Sequence, residues 1–170
     1  MELDWVTETL AVGPCVSTNE LRALEDEHGV RHVVDLRDDQ ARGAGARRWR
    51  GVEVLHLPTP DLAPPTPEML DRGVAWVRAA RSAGRPVLVH CRYGIGRGPT
   101  LALCVLVADG WRADEAMRRL KQVRPVASPS PAQLEAVLAF ARASGRRAGE
   151  ADASFETLAA IAYANIPVGR

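Results

Sequence analysis

The sequence contains few lysines and aromatic residues and no long apolar run. Lys121 is the only lysine among 22 basic residues, which 21 acidic residues balance to a net charge of +1. So little net charge gives no extended basic surface, and we expect neither nucleic acid nor a membrane as a partner. No apolar run approaches the roughly 18 residues of a membrane-spanning helix. The first residues also lack the basic and apolar regions of a signal peptide.

Cysteine is scarce as well. The three cysteines, Cys15, Cys91 and Cys104, are too few and too scattered for a disulfide framework. The histidines lack the spacing of metal ligands, so we expect no metal and no cofactor. A free thiol stays reactive in a reducing compartment, and the Arg-, Ala-, Gly- and Pro-rich composition is typical of a GC-rich genome. We therefore expect a cytoplasmic, bacterial protein that is a monomer.

Apolar segments of strand and helix character alternate along the chain. We predict short edge strands within 3–16, further strands at 30–36, 52–57 and 86–90, and helices at 19–28, 67–83, 98–109, 112–123 and 131–143. This alternation predicts an α/β fold with a central, mainly parallel sheet covered by helices on both faces. We expect residues 1–144 to form one catalytic domain. Residues 145–170 would then hold a linker and a C-terminal amphipathic helix over 151–164.

The segment from His90 to Arg97 combines a strand end, a glycine-rich loop and a helix start. Glycines let backbone N–H groups converge on one anion, and a helix N-terminus adds partial positive charge. The same groups stabilise a thiolate, so Cys91 is the candidate nucleophile. Arg97, six positions later, has a planar guanidinium that can hold two phosphoryl oxygens at once. The expected phosphate-binding residues are those that follow Cys91, namely Arg92, Tyr93, Gly94, Ile95, Gly96 and Arg97.

A proline-rich loop at 58–67 carries the candidate general acid. Transfer of a phosphoryl group needs a proton for the leaving oxygen, and a general acid contributes about 10²- to 10⁴-fold in rate. Asp61 is favoured because a stiff loop without secondary structure can hang over a pocket. Asp35 and Asp38 are alternatives, since they lie at a strand end, where ligands bind in such sheets. The alternative for Asp61 is that it is only a turn residue after proline, without a catalytic role.

Residues 89–97 resemble the signature of the dual-specificity branch of the protein tyrosine phosphatase superfamily, which is His-Cys, five residues and Arg. In that branch the acid loop precedes the cysteine, as residues 59–65 do here. The resemblance covers about residues 3–142 and is greatest to small, atypical dual-specificity phosphatases. It implies a phosphatase-like fold and a metal-free mechanism in two steps. The Cys91 thiolate attacks phosphorus while Asp61 protonates the leaving oxygen, and water then hydrolyses the phosphocysteine with Asp61 as base.

The sequence departs from the family pattern directly after the signature arginine. The family usually has Ser or Thr there, whereas this chain has Gly98. In the family that hydroxyl bonds the thiolate and assists breakdown of the phosphocysteine. Thr100 would have to reach back from the first turn of the next helix to replace it. The resemblance therefore implies an intermediate that turns over slowly, which burst kinetics would reveal.

Five further residues are candidates for supporting roles, and each could instead have only a structural role. His90 would tune the thiolate through a hydrogen-bond network, and Arg37 would flank the pocket mouth. Arg92 would add charge at the entrance, and Tyr93 would line the pocket wall. Gln133 lies near the position where related enzymes orient the hydrolytic water.

We expect a protein phosphatase that hydrolyses phosphotyrosine, and phosphoserine or phosphothreonine as further substrates. One alternative is a phosphatase of a non-protein phosphomonoester, such as an inositol phosphate, a nucleotide or an RNA 5′ end. Another is a phosphate-binding module whose turnover is impaired by Gly98. The expected partner is thus a phosphorylated protein or a small phosphomonoester.

Overall fold

The computed structural model of the protein describes residues 3–38, 51–144 and 154–164. Its centre is a five-stranded sheet of strand order β1-β2-β5-β3-β4. The strands are β1 (Asp4–Thr7), β2 (Leu10–Gly13), β3 (His32–Arg37), β4 (Glu53–Thr59) and β5 (Val87–His90). β1 pairs with β2 antiparallel, and all other pairs are parallel. The predicted α/β fold with a mainly parallel sheet is confirmed.

Alternating side chains of the inner strands enter two separate cores, as the two-residue period of a strand requires. On β5, Leu88 faces a small core that includes Leu21 and Leu24 of helix α1 (Thr18–His28). Val87 and Val89 face the larger core on the other side. Both faces of the sheet are therefore covered.

Five helices contribute to the larger core. They are α2 (Pro67–Ser82), α3 (Arg97–Ala108), α4 (Ala113–Val123), α5 (Pro131–Ala143) and α6 (Phe155–Ala162). Helix α3 is buried along nearly its whole length, as its apolar sequence predicts. None of the helices in the described ranges is both long and apolar enough to cross a membrane.

One feature near the start of the chain differs from the expectation. β2 does not lie at a sheet edge, because it pairs with β1 on one side and β5 on the other. Helix α6 lies within the predicted 151–164, and its Leu158 and Ala162 are fully buried in the larger core. The hydroxyl of Tyr163 donates to Pro129 O at 2.7 Å. The linker predicted after residue 144 lies outside the described residues, and so does most of the segment 37–51, an arginine-rich polar stretch for which the sequence predicts a loop.

Candidate active site

The predicted catalytic loop lies at the carboxyl end of the central strand β5. His90 is the last residue of β5, and helix α3 begins at Arg97. In register, His90 lies opposite Gly13 of β2 and Asp35 of β3. Carboxyl ends of neighbouring parallel strands form the binding edge in open α/β sheets. Cys91, the next residue, is buried with 2% of its surface exposed.

The carbonyl groups of the loop point outward. Five consecutive carbonyl oxygens accept hydrogen bonds from outside or from the following helix: Arg92 from Cys15 N (3.2 Å), Tyr93 from Arg124 Nη2 (3.0 Å), Gly94 from Arg124 Nε (2.6 Å), Ile95 from Ser128 N (2.8 Å) and Gly96 from Thr100 N (2.9 Å). In a planar trans peptide the N–H points opposite to the preceding carbonyl. The N–H groups of residues 93–97 therefore point into the loop, as in an anion-binding nest. The N–H of Gly94 donates to Sγ of Cys91 at 3.3 Å.

Arg124 supports this loop from outside. Its side chain is almost fully buried, donates to two loop carbonyls, and pairs with Oδ2 of Asp4 on β1 through Nη1 at 2.7 Å. The sequence pattern assigns Arg124 no role, because its partners lie about 30 residues earlier in the chain. No local sequence signal marks Arg124, and its burial, which requires fixed partners for the charge, is visible only in the fold.

Gly94 lies against the end of β2, at Gly13. Its φ is +65°, a left-handed conformation that favours glycine. A Cβ added there would lie 2.4 Å from the backbone carbon of Gly13. Both the conformation and the space therefore require glycine.

Arg97 is buried, and its guanidinium is fixed on one side. Nη1 donates to Thr59 O at 2.8 Å and lies 3.3 Å from Oδ1 of Asp38. Nη2 lies 3.2 Å from Oδ1 of Asp61. Nε is buried without a hydrogen-bond partner among the described residues. The Nε and Nη2 edge of the guanidinium is the one that can bind an oxyanion through two parallel bonds.

Asp61 lies on a tight turn directly after β4. The turn is closed by a bond from Ala63 N to Pro60 O at 3.2 Å. The carboxylate is 65% exposed and contacts the Arg97 guanidinium. The structure thus brings the predicted acid, the predicted nucleophile loop and the predicted phosphate clamp to one place.

Asp35 is placed differently from Asp61. Its carboxylate accepts three hydrogen bonds from the Arg37 side chain, at 2.7 to 3.2 Å. Burial acts to raise the pKa of Asp35, but the bonds from Arg37 and the nearby His90 outweigh it and hold the pKa below its ordinary value. Both carboxylate oxygens of Asp35 are thus bound by Arg37. Asp38, in contrast, remains close to Arg97.

His90 lies beneath the loop, fully buried. Its Nδ1 is 3.4 Å from Cys91 O and 3.9 Å from Oδ1 of Asp35. Burial lowers the pKa of His90, while the charge of Asp35 acts in the opposite direction. We therefore expect a neutral imidazole at neutral pH. Its Nε2 has no partner among the described residues.

The hydroxyl of Thr100 does not replace the missing family hydroxyl. Its Oγ1 donates to Gly96 O at 2.9 Å, so it is used within the first turn of α3. A Cβ on Gly98 would lie 3.6 Å from Cys91 N and 3.5 Å from Val89 O. The position therefore lies beside the nucleophile and has room for a Cβ.

Gln133 lies between the catalytic loop and the acid turn. Its Oε1 accepts from Ser130 N at 2.8 Å, and its Nε2 donates to Ala63 O at 2.9 Å. A Cβ on Gly96 would come within 2.6 Å of Oε1. Both ends of the amide are thus occupied by protein groups, and the expected role in orienting water stays a prediction.

The mouth of the site carries exposed apolar side chains. Four of the large apolar side chains exposed in the described ranges lie on the loops around it, with 39% to 72% of their surface exposed: Leu62, Tyr93, Ile95 and Val126. The predicted residues Arg92 and Tyr93 both lie at this exposed rim. In residues 3–38, 51–144 and 154–164, no cluster of three or more His, Cys, Asp or Glu side chains could hold a metal ion.

A family model described as "Polymorphic toxin system, DSP-PTPase phosphatase" matches residues 12–111. The match extends from β2 through α3 and includes Asp61, Cys91 and Arg97. The chain belongs to this phosphatase family. The expectation that this chain is an atypical dual-specificity phosphatase of the protein tyrosine phosphatase superfamily is thereby confirmed.

Individual relatives agree with this assignment. The rat (Rattus norvegicus) protein "Phosphatidylglycerophosphatase and protein-tyrosine phosphatase 1" is 29% identical over 86% of this chain and 81% of its own length. The mouse (Mus musculus) "Dual specificity protein phosphatase 12" is 35% identical over 59% of this chain and 30% of its own. A structure of PTPMT1 in complex with PI(5)P has a TM-score of 0.77 at 27% identity, covering 85% of this chain and 97% of that one. The roles of Cys91, Arg97 and Asp61 stay predictions.

Proposed function

We propose that this phosphatase hydrolyses phosphomonoesters through a phosphocysteine on Cys91. In the first step a bond forms between Sγ and phosphorus while the bond to the leaving oxygen breaks. Asp61 gives its proton to that oxygen. In the second step Asp61 takes a proton from water, the water oxygen bonds to phosphorus, and the Cys91 thiolate leaves. Free phosphate is the second product.

The observation that carries this proposal is the set of hydrogen-bond donors that face Cys91. The outward carbonyls turn the loop N–H groups inward, and the buried Nε of Arg97 has no partner among the described residues. Leaving a buried donor unpaired costs roughly 1–3 kcal/mol. A phosphoryl group bound at Sγ would supply the missing acceptors. The adjacent Asp61 would then lie on the side of the leaving oxygen.

The substrate that we propose first is phosphotyrosine. A phosphotyrosine ring above the loop would lie against the apolar rim, where Tyr93 and Ile95 are exposed. A second candidate is a phosphorylated lipid. It is favoured by the extent of the rim, which continues to Leu62 and Val126, and by the relatives named for phosphatidylglycerophosphate.

Hydrolysis of a chromogenic aryl phosphate by wild type and Cys91→Ser tests the mechanism. We expect a loss of roughly a thousandfold or more in Cys91→Ser, whereas exposed Cys15→Ser serves as the matched control and keeps activity. Equal activity of wild type and Cys91→Ser would refute the proposal. Phosphate binding without hydrolysis by the wild type would favour a binding module instead. A phosphotyrosine peptide and phosphatidylglycerophosphate in mixed micelles, compared by kcat/KM, separate the two substrates.

A further inference from the structure

The acid turn contains an unusual backbone conformation. Leu62 has a φ of +63° and is the only non-glycine residue with positive φ in the described ranges. A left-handed conformation costs an ordinary residue about 1–2 kcal/mol. Such strain persists only where neighbouring groups hold it. The side chain of Leu62 is 72% exposed, so its own packing does not supply that hold.

Two side chains from the start of α5 bind this turn. The hydroxyl of Ser130 donates to Leu62 O at 2.6 Å. Nε2 of Gln133 donates to Ala63 O at 2.9 Å. These bonds fix the peptide groups that join Leu62 to Ala63 and Ala63 to Pro64, one residue beyond Asp61. They therefore restrict the turn on which the Asp61 carboxylate is mounted.

Ser130 and Gln133 also hold each other in place. The Ser130 hydroxyl accepts from Gln133 N, and Gln133 Oε1 accepts from Ser130 N, which together form the capping box of α5. Gln133 is almost fully buried beside the catalytic loop at Gly96. The two donors are thus rigidly placed relative to Cys91, and they transmit that rigidity to the acid turn.

We propose that Ser130 and Gln133 are positioning residues that hold the strained turn at Leu62 and thereby place Asp61 over the phosphate site. This rests on the proposed function, in which Asp61 is the general acid. A helix cap alone requires neither the bond to Leu62 O nor the bond to Ala63 O. The pair therefore serves catalysis through Asp61 and not only the stability of α5.

The test compares two aryl phosphates. The leaving group of phenyl phosphate, phenolate, is poor and needs a proton. The 2,4-dinitrophenolate of 2,4-dinitrophenyl phosphate leaves without one. Ser130→Gly removes the hydroxyl, and glycine costs an N-cap only a few tenths of a kcal/mol. We expect kcat/KM for phenyl phosphate to fall about 10- to 100-fold, a part of what a general acid contributes. We expect less than a threefold change for 2,4-dinitrophenyl phosphate, and the same pattern for Gln133→Met.

Three controls make the result specific. Ser130→Thr keeps the hydroxyl and should retain the wild-type rates. Ser17→Gly removes the matching capping box of α1, which has no bond to the acid turn, and should leave the ratio of the two rates unchanged. In an Asp61→Asn background, Ser130→Gly should cause no further loss with phenyl phosphate, because both changes act through one group.

The outcomes separate the positioning role from the acid assignment. An equal fall with both substrates in Ser130→Gly would show a merely structural role and overturn the inference, while Asp61 would remain the acid. Additive losses in the double variant would overturn it as well. If Asp61→Asn itself does not discriminate between the substrates, both the acid assignment and the inference are wrong.

Discussion

A hydroxyl returned at position 98 should accelerate breakdown of the proposed phosphocysteine. A Cβ at Gly98 makes only ordinary contacts, at 3.5 Å or more from its nearest neighbours, which are backbone atoms of 89–91. Gly98 lies in α3 without a left-handed φ, so a serine needs no change of backbone. We therefore expect Gly98→Ser to fold normally, with its hydroxyl directed towards Cys91.

The size of the effect follows from the bond that the hydroxyl makes. A hydrogen bond to a charged group contributes about 1.5–3 kcal/mol. In the second step the thiolate is the leaving group, so this bond is strongest when the phosphorus–sulfur bond breaks. At about 1.36 kcal/mol for each factor of ten, breakdown should be roughly 10- to 150-fold faster.

Stopped-flow measurement of nitrophenol release provides the assay. The wild type should show a burst of about one product per enzyme followed by a slow steady state, because Gly98 leaves breakdown rate-limiting. Gly98→Ser should raise kcat and reduce or abolish the burst. Gly98→Ala adds the Cβ without the hydroxyl and should keep the burst. Absence of a burst in the wild type, or equal acceleration by Gly98→Ala, would refute the reasoning.

Three further predictions concern the frame of the site. Gly94→Ala should abolish activity and destabilise the fold, since it adds a backbone clash to the strain of a positive φ. The control, Gly84→Ala, has a φ of +73° but open space around it, and should lower the free energy of unfolding in urea by only about 1–2 kcal/mol. An equal loss of stability in the two variants would contradict the role of the clash. Arg124→Lys should weaken inhibition by inorganic phosphate at least about tenfold, because a lysine cannot donate to both loop carbonyls in the geometry of the arginine. Unchanged inhibition would show that the loop keeps its conformation without Arg124. The buried His90 has a folded pKa below its ordinary 6.5, so the unfolded chain binds the extra proton and the free energy of unfolding should fall as pH drops below about 6.5. His90→Asn should reduce that slope, and an unchanged slope would assign the effect to other groups.

The loop around Cys91 and the turn at Asp61 could be predicted from the sequence because each is specified by residues that are adjacent in the chain. A short apolar strand, a run of glycines and an apolar helix follow one another, so the loop around Cys91 needs no long-range information. The order of proline and aspartate similarly indicates a stiff turn at Asp61. These patterns also predict the bounds of β5 and α3 to within one or two residues.

Contacts between distant segments could not be predicted in the same way. Asp38 and Asp61 contact Arg97, whereas Asp35 pairs with Arg37, and alternation along β3 does not reveal these side-chain partners. The central place of β2 depends on its pairing with β5, more than 70 positions later. Similarly, the apolar face of α6 indicates burial but not which helices cover it.

One short segment fixes both halves of the candidate site. Arg124 and Ser128 hold the carbonyls of the catalytic loop, and Ser130 and Gln133 hold the acid turn. The separation between nucleophile and acid therefore depends on residues 124–133 as well as on the two loops themselves. This segment lies beyond residues 12–111, which the family model matches. The matched region thus contains the groups that we propose for the chemistry, while the segment after α4 bonds to both of the loops that carry them.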